Sequence, residues 1–195
     1  MKKFELTAES KISAFGKKLF RIKALISFGS VEEGETGGWV EKEDNLSQSG
    51  NAWVFDNAEV SDNARVFGNA RVFGNARVFD NAEVSDNAWV FGNARVSYNA
   101  RVSGNAEVFD NAWVFGNAWV FDNADYATIH GFGTQFRTTT FFRCKDKQVK
   151  VSCGCFYGTI PEFREQVKNT RKGKIAEEYL MIADLMEKHF AEEAK

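Results

Sequence analysis

From Gly50 to Ala127 the chain repeats a six-residue pattern of apolar and polar positions, in thirteen consecutive hexads without insertion. Asn and Ala hold the second and third positions of every hexad, and Val holds the fifth until Tyr126 replaces it. Ala and Val stand two residues apart, so in a strand they share one side. The residue between them (Trp, Arg, Glu or Asp) and the one after Val (Phe or Ser until the last hexad) take the other side. The remaining pair, Gly or Asp or once Tyr98 followed by Asn, is turn chemistry that tolerates left-handed backbone angles. A short strand and a sharp corner every six residues predict a three-sided β-solenoid, with three hexads per coil and Ala and Val inside.

Side chains eighteen residues apart then stack about 4.8 Å from one another along the axis. Between Ala and Val, the first face carries Trp53, Arg71, Trp89, Glu107 and Asp125, and after Val it carries Phe55, Phe73, Phe91 and Phe109. The second face carries Glu59, Arg77, Arg95 and Trp113, then Ser61, Phe79, Ser97 and Phe115; the third carries Arg65, Glu83, Arg101 and Trp119, then Phe67, Ser85, Ser103 and Phe121. The pattern predicts Arg71 between two indoles and a charge ladder through Arg65, Glu83 and Arg101. The unbroken Phe column has two readings. Stacked rings stiffen a ladder, and a contiguous outward apolar patch marks a contact surface. On the second reading Trp53, Phe55, Arg71, Phe73, Trp89, Phe91, Glu107 and Phe109 form an interaction face. Trp113, Phe115, Trp119 and Phe121 form a secondary one.

The flanks have different grammar. Residues 1–43 hold two strand-like runs, Lys3–Thr7 and Lys18–Leu25, with a Gly16-Lys17 turn, and predict a hairpin that covers the open end of the solenoid. An irregular hexad, Asp44–Ser49, puts Leu46 and Gln48 in the Ala and Val phases, so the repeat region is taken as 44–127. In residues 128–195, Thr138–Lys145 and Gln148–Phe156 read as a hairpin about Asp146-Lys147. A two-residue turn there sets Cys144 opposite Val149 and Phe142 opposite Val151. Cys144, Cys153 and Cys155 then share an apolar face as buried small hydrophobes. Thr159, Pro161 and Glu162 spell a helix start. After Gly173, Ile175, Tyr179, Ile182, Met186 and Phe190 form the stripe of a second helix, free to pack on the hairpin, the solenoid or another subunit.

An aliphatic residue followed four positions later by a small one, as in Val54 with Ala58 and Val60 with Ala64, resembles the hexapeptide-repeat, left-handed parallel β-helix family. The Gly37-Gly38-Trp39-Val40 and Asp44-Asn45-Leu46-Ser47-Gln48 segments resemble the entry of bacterial and phage members labelled as transferases. The block from Thr138 through Thr159 is similar to C-terminal domains of phage-encoded proteins. The family resemblance implies a left-handed coil and, for its best-known members, acyl transfer at trimer interfaces with a His as general base.

Composition narrows the choice. The repeats hold five Arg against ten Asp and Glu, residues 1–49 balance at eight and eight, and residues 128–195 hold twelve basic against nine acidic. No basic stripe results, so nucleic acid is not an expected partner. No apolar run reaches the length of a membrane span and no secretory signal opens the sequence. With three Cys in no framework spacing, the expected setting is the cytoplasm of a bacterial or phage-infected cell. Cys153-Gly154-Cys155 lacks the partners of a metal site, and no cofactor is expected. Of two His, His130 and His189, only His130 lies near the repeats, as a cap residue or as a weak candidate base. Ser61, Ser85, Ser97 and Ser103 have no His placed beside them. The expected function is a rigid, non-catalytic protein-binding module. It is expected to be homo-oligomeric through the aromatic face or the C-terminal helix, and a phage product that blocks a host defence protein. Hexapeptide-repeat acyl transfer, and capture of a small nucleotide-like ligand, are the alternatives.

Overall fold

The computed structural model describes residues 2–191. The hexads form a parallel β-solenoid whose strands are only two residues long. One face stacks β4 (Trp53–Val54), β7 (Arg71–Val72), β10 (Trp89–Val90) and β13 (Glu107–Val108). The next stacks β5 (Glu59–Val60), β8 (Arg77–Val78), β11 (Arg95–Val96) and β14 (Trp113–Val114). The third stacks β6 (Arg65–Val66), β9 (Glu83–Val84), β12 (Arg101–Val102) and β15 (Trp119–Val120). Every register is the eighteen-residue one, for example Trp89 with Arg71 and with Glu107. The Ala and Val of the coils are buried in one continuous core. Each buried Val contributes on the order of 1.5 kcal/mol.

At the corners Asp56, Asp62, Asp80, Asp86, Tyr98 and Asp110 adopt positive φ, as do the Gly residues in the same position. Asp is tolerated there because its carboxylate is used. Asp56, Asp80 and Asp86 each accept the backbone N–H of the corner one coil on, at 3.0, 3.1 and 3.1 Å. Asn amides add a second ladder, Asn51 to Asn69 to Asn87 to Asn105 at 3.0, 3.0 and 3.2 Å.

The coil has a polarity that explains its ends. The inter-coil N–H groups all donate to carbonyls of the following coil, as Trp53 N does to Ala70 O at 3.0 Å, while the corner Ala N–H groups turn back within their own coil, as Ala58 N does to Phe55 O at 3.1 Å. The first coil therefore presents carbonyls without donors, and the last presents N–H groups without acceptors. Donors close the first rim. β3 (Thr36–Val40) supplies Trp39 N to Ala58 O at 2.9 Å, and Asn45 Nδ2 reaches Ala64 O at 2.8 Å. Arg21 Nη1 reaches Asp56 O at 2.7 Å, and the buried Lys3 Nζ reaches Ala52 O at 2.9 Å. Oxygen acceptors close the last rim. Trp113 N donates to Thr140 Oγ1 at 3.2 Å, Glu107 N to Asn123 Oδ1 at 2.7 Å and Phe121 N to Asp125 Oδ2 at 2.9 Å.

The predicted N-terminal hairpin exists as β1 (Phe4–Ile12) and β2 (Lys18–Ala24). It does more than lie over the opening: β2 pairs with β3, and β3 pairs with β5, so the hairpin extends one solenoid face into a seven-stranded sheet. The C-terminal hairpin also exists, as β17 (Arg137–Arg143) and β18 (Val149–Cys153), flanked by β16 (Tyr126–Phe132) and β19 (Phe156–Thr159) in a four-stranded sheet. Its register differs from the predicted one. Cys144 and Gln148 close a three-residue loop in which Lys147 has φ +64°, and Arg143, not Cys144, faces Val149. One residue of slip reverses the sides of the sheet. Cys144 as a result packs against the solenoid and Cys153 lies half-buried toward the helices, while Cys155 is exposed because β18 ends at Cys153 and turns into β19.

One side of this sheet, with Phe142 and Cys144, caps the last coil. The other, with Phe141 and Val151, is covered by α1 (Ile160–Thr170) and α2 (Gly173–His189). Thr159 and Glu162 form a capping box at the start of α1. The α2 stripe of Tyr179, Ile182, Met186 and Phe190 is buried within this unit. Arg164 bridges the helices through Asp184 and Glu187, both at 2.7 Å.

Candidate functional site

The aromatic column is real but shorter than predicted. Phe73 and Phe91 stack with centroids 4.8 Å apart and planes within 2°, and Phe91 continues to Phe109 at 5.2 Å. Trp53 does not belong to the free surface. Its indole projects from the first coil but is fully buried under Phe4 and Phe28, edge-on at 6.1 and 5.3 Å. Phe55 is half-buried against the core beside it. The first-coil end of the strip is thus sealed by the N-terminal segment, and at the far end Tyr126 meets Phe109 edge-on at 6.3 Å.

What stays open on this face is a window three coils deep: Arg71 with Phe73, Trp89 with Phe91, and Glu107 with Phe109. Trp89 and Phe109 expose 37% and 38% of their surface, enough for a partner to cover. The Arg71 guanidinium lies 5.5 Å from the Trp89 centroid, so it contacts one indole rather than two. Neither Arg71 nor Glu107 has an ion-pair partner among the described residues.

The secondary set divides between two faces. Phe115 is covered by the C-terminal sheet, 4.6 Å from Tyr157 and 5.8 Å from Phe142, and Trp113 is half-buried beside it with centroids 4.9 Å apart. The Trp113 indole N–H donates to Ser97 Oγ at 3.2 Å, which buries that hydroxyl. Trp119 and Phe121 remain exposed on the third face. On that face the predicted charge ladder is reduced to one pair, Arg101 with Glu83 at 3.2 Å, while Arg65 turns to the Phe67 ring at 5.9 Å.

A groove of about 780 Å³ runs along the corner between the second and third faces. It is lined by Asn81, Glu83, Asn99, Arg101, Asn117, Trp119, Lys145 and Asp146. The Asn63–Asn81–Asn99 ladder, at 3.2 and 3.3 Å, stops before Asn117, and the β17–β18 loop closes the groove through Lys145 N on Asn117 O at 3.1 Å. Two acids oppose two bases, so the groove carries no net charge. Sequence reasoning missed it because Lys145 and Asp146 come from outside the repeats. The outward order Glu83, Arg101, Trp119 was the only signal present.

His130 lies elsewhere, exposed on β16 with Nδ1 3.2 Å from Thr138 Oγ1. It lines neither the window nor the groove. His189 sits against Phe190 at 4.9 Å. Burial pushes the Cys144 thiol up to about 11, which leaves it protonated and inert at neutral pH. Among the described residues no cluster of three His, Cys, Asp or Glu could hold a metal ion, and no helix is long and apolar enough to cross a membrane.

Comparison with known proteins adds one relation. No protein-family model matches the chain. A protein of Escherichia coli (strain K12) described as the uncharacterized acetyltransferase YdcK is 35% identical over 63 residues. The match takes in 29% of this chain and 19% of that protein. The chain therefore spans less than a fifth of the relative. The likeness fits a hexapeptide-repeat solenoid.

Proposed function

We propose that the protein works by contact: a rigid, non-catalytic solenoid that offers the open window on its first face to another protein surface. The observation that carries this reading is the window itself. Three consecutive coils place stacked Phe rings beside Arg71, Trp89 and Glu107 on backbone already fixed by ladder hydrogen bonds. Such side chains lose little further freedom on binding. Exposed aromatic and Arg groups are the residue types that anchor protein interfaces. Within this reading the setting is a cytoplasmic, phage-derived one and the wider target is a host protein. The phage element rests on resemblance alone, that of the Thr138–Thr159 block and of the Gly37–Val40 and Asp44–Gln48 segments. Replacing Phe73 and Phe91 with Ser tests the reading. Size-exclusion chromatography with light scattering should show lost association while circular dichroism stays unchanged. Association equal to wild type would refute it.

Acyl transfer is the second reading, favoured by the name of the Escherichia coli relative. In it the groove beside Trp119 holds an acyl donor and His130, supplied by a neighbouring subunit, is the base. The test is turnover of an acetyl thioester by wild type and by His130→Ala. Turnover that His130→Ala abolishes supports this reading and displaces the first.

A further inference from the structure

We propose that the occupant of the window is a second copy of this chain, packed antiparallel about a two-fold axis that lies along the strands at the level of Trp89 and Phe91. The inference rests on the contact reading above and gives it a partner and a geometry.

The open part of the face is symmetric about that level. Phe4 and Phe28 seal the coil of Trp53, and Tyr126 closes the other end, leaving three coils with Trp89 and Phe91 in the middle. One step toward the N-terminal end stand Arg71 and Phe73; one step the other way stand Glu107 and Phe109. The two charges are therefore two coils apart, about 10 Å at the usual strand spacing. They are of opposite sign, and neither has an ion-pair partner among the described residues.

A two-fold axis along the strands turns the coil direction over and keeps each column against its own counterpart. Arg71 then meets Glu107 of the second copy, and Glu107 meets the second copy's Arg71, as a self-complementary interface requires. The Phe column meets itself with Phe73 against Phe109 and Phe91 against Phe91, and the Trp89 indoles meet at the centre. Both ion pairs sit beside aromatic rings, so water is displaced around them. A two-fold axis along the solenoid axis is excluded by the same geometry. It sets the Arg–Trp–Glu column against the partner's Phe column and leaves both charges facing rings, without counter-ions.

The test is charge reversal, read as the dimer dissociation constant by sedimentation equilibrium on the full chain. Arg71→Glu creates two Glu–Glu contacts per dimer and should raise the constant on the order of tenfold or more. Glu107→Arg should do the same through two Arg–Arg contacts. The combined variant, with both charges exchanged, should return the constant to within about threefold of wild type, since the exchange restores both pairs. Rescue of this kind is unavailable to a merely misfolded protein. The Phe73→Ser, Phe91→Ser variant separates the two levels of the argument. A dimer lost in that variant but indifferent to both charge reversals keeps the contact window and overturns the antiparallel arrangement. A dimer that survives the Phe replacements overturns both. A wild-type monomer at every accessible concentration, or a trimer, overturns the second copy as antiparallel occupant.

Discussion

Lys3 ties the chemistry of one end of the solenoid to a measurable pH dependence. The residue is 2% exposed, with Nζ 2.9 Å from Ala52 O and 3.4 Å from Gly50 O, and it lies 4.8 Å from the Phe28 centroid. It supplies hydrogen bonds that a preceding coil would otherwise give. Its environment has carbonyl dipoles and a ring face but no carboxylate ion pair among the described residues, and burial lowers its pKa to about 8. In the unfolded chain a Lys titrates near 10.4. Between about 8 and 10.4 the unfolded state holds the extra proton, so stability rises with pH across that window. Below 8 the native state carries a buried charge at its full cost. A Lys held that far below its ordinary value costs the fold on the order of 3 kcal/mol at neutral pH.

Lys3→Met keeps the length of the side chain and removes the titration. At neutral pH it relieves the burial cost but leaves two carbonyls without a donor, a loss of about 1–3 kcal/mol. The two effects nearly cancel there. The informative quantity is the difference in unfolding free energy between wild type and Lys3→Met, measured by urea titration at each half unit from pH 7 to 10. That difference should move in favour of wild type as pH rises through 8. Tyr126, pushed by burial to about 12, and Cys144 act in the opposite direction at high pH. Both are present in each protein and drop out of the comparison. Parallel curves for the two proteins from pH 8 to 10 would refute the account of the first rim.

Other expectations follow from single positions. Trp53→Ala should cost about 3–5 kcal/mol in chemical denaturation, as a large buried ring does, whereas Trp89→Ala should leave stability within about 1 kcal/mol. Gly68 has φ +72°, and a Cβ there would stand 2.9 Å from Asp86 N, so Gly68→Ala should lower stability by about 1–3 kcal/mol in the same assay. In native protein treated with iodoacetamide and read by mass spectrometry, Cys155 should alkylate first and Cys144 only after unfolding.

The solenoid was legible because its code is local and repeated. Ala and Val two residues apart define an inside, and the corner pair defines the bend, thirteen times over. The α2 stripe and the Thr159 cap were legible for the same reason. What escaped depends on contacts between distant segments. Nothing near Trp53 announces that Phe4 and Phe28 will cover it. The sheet that packs on Phe115 is set by a loop in which Lys147 takes a left-handed conformation, one residue longer than the Asp146-Lys147 turn suggested. That single residue also put Cys144 and Cys153 on opposite sides of the sheet. The groove depends on Lys145 and Asp146 arriving beside Asn117 from outside the repeat, an event no periodicity encodes.

Side-chain oxidation by hydroxyl radicals tests the contact window most directly, because it reports the solvent access of each ring. Between dilute and concentrated protein, Phe73, Trp89, Phe91 and Phe109 should become protected while Trp119 and Phe121 keep their reactivity and Trp53 stays unreactive throughout. Equal oxidation of the four window rings at both concentrations, or protection centred on Trp119 and Phe121, would contradict the account.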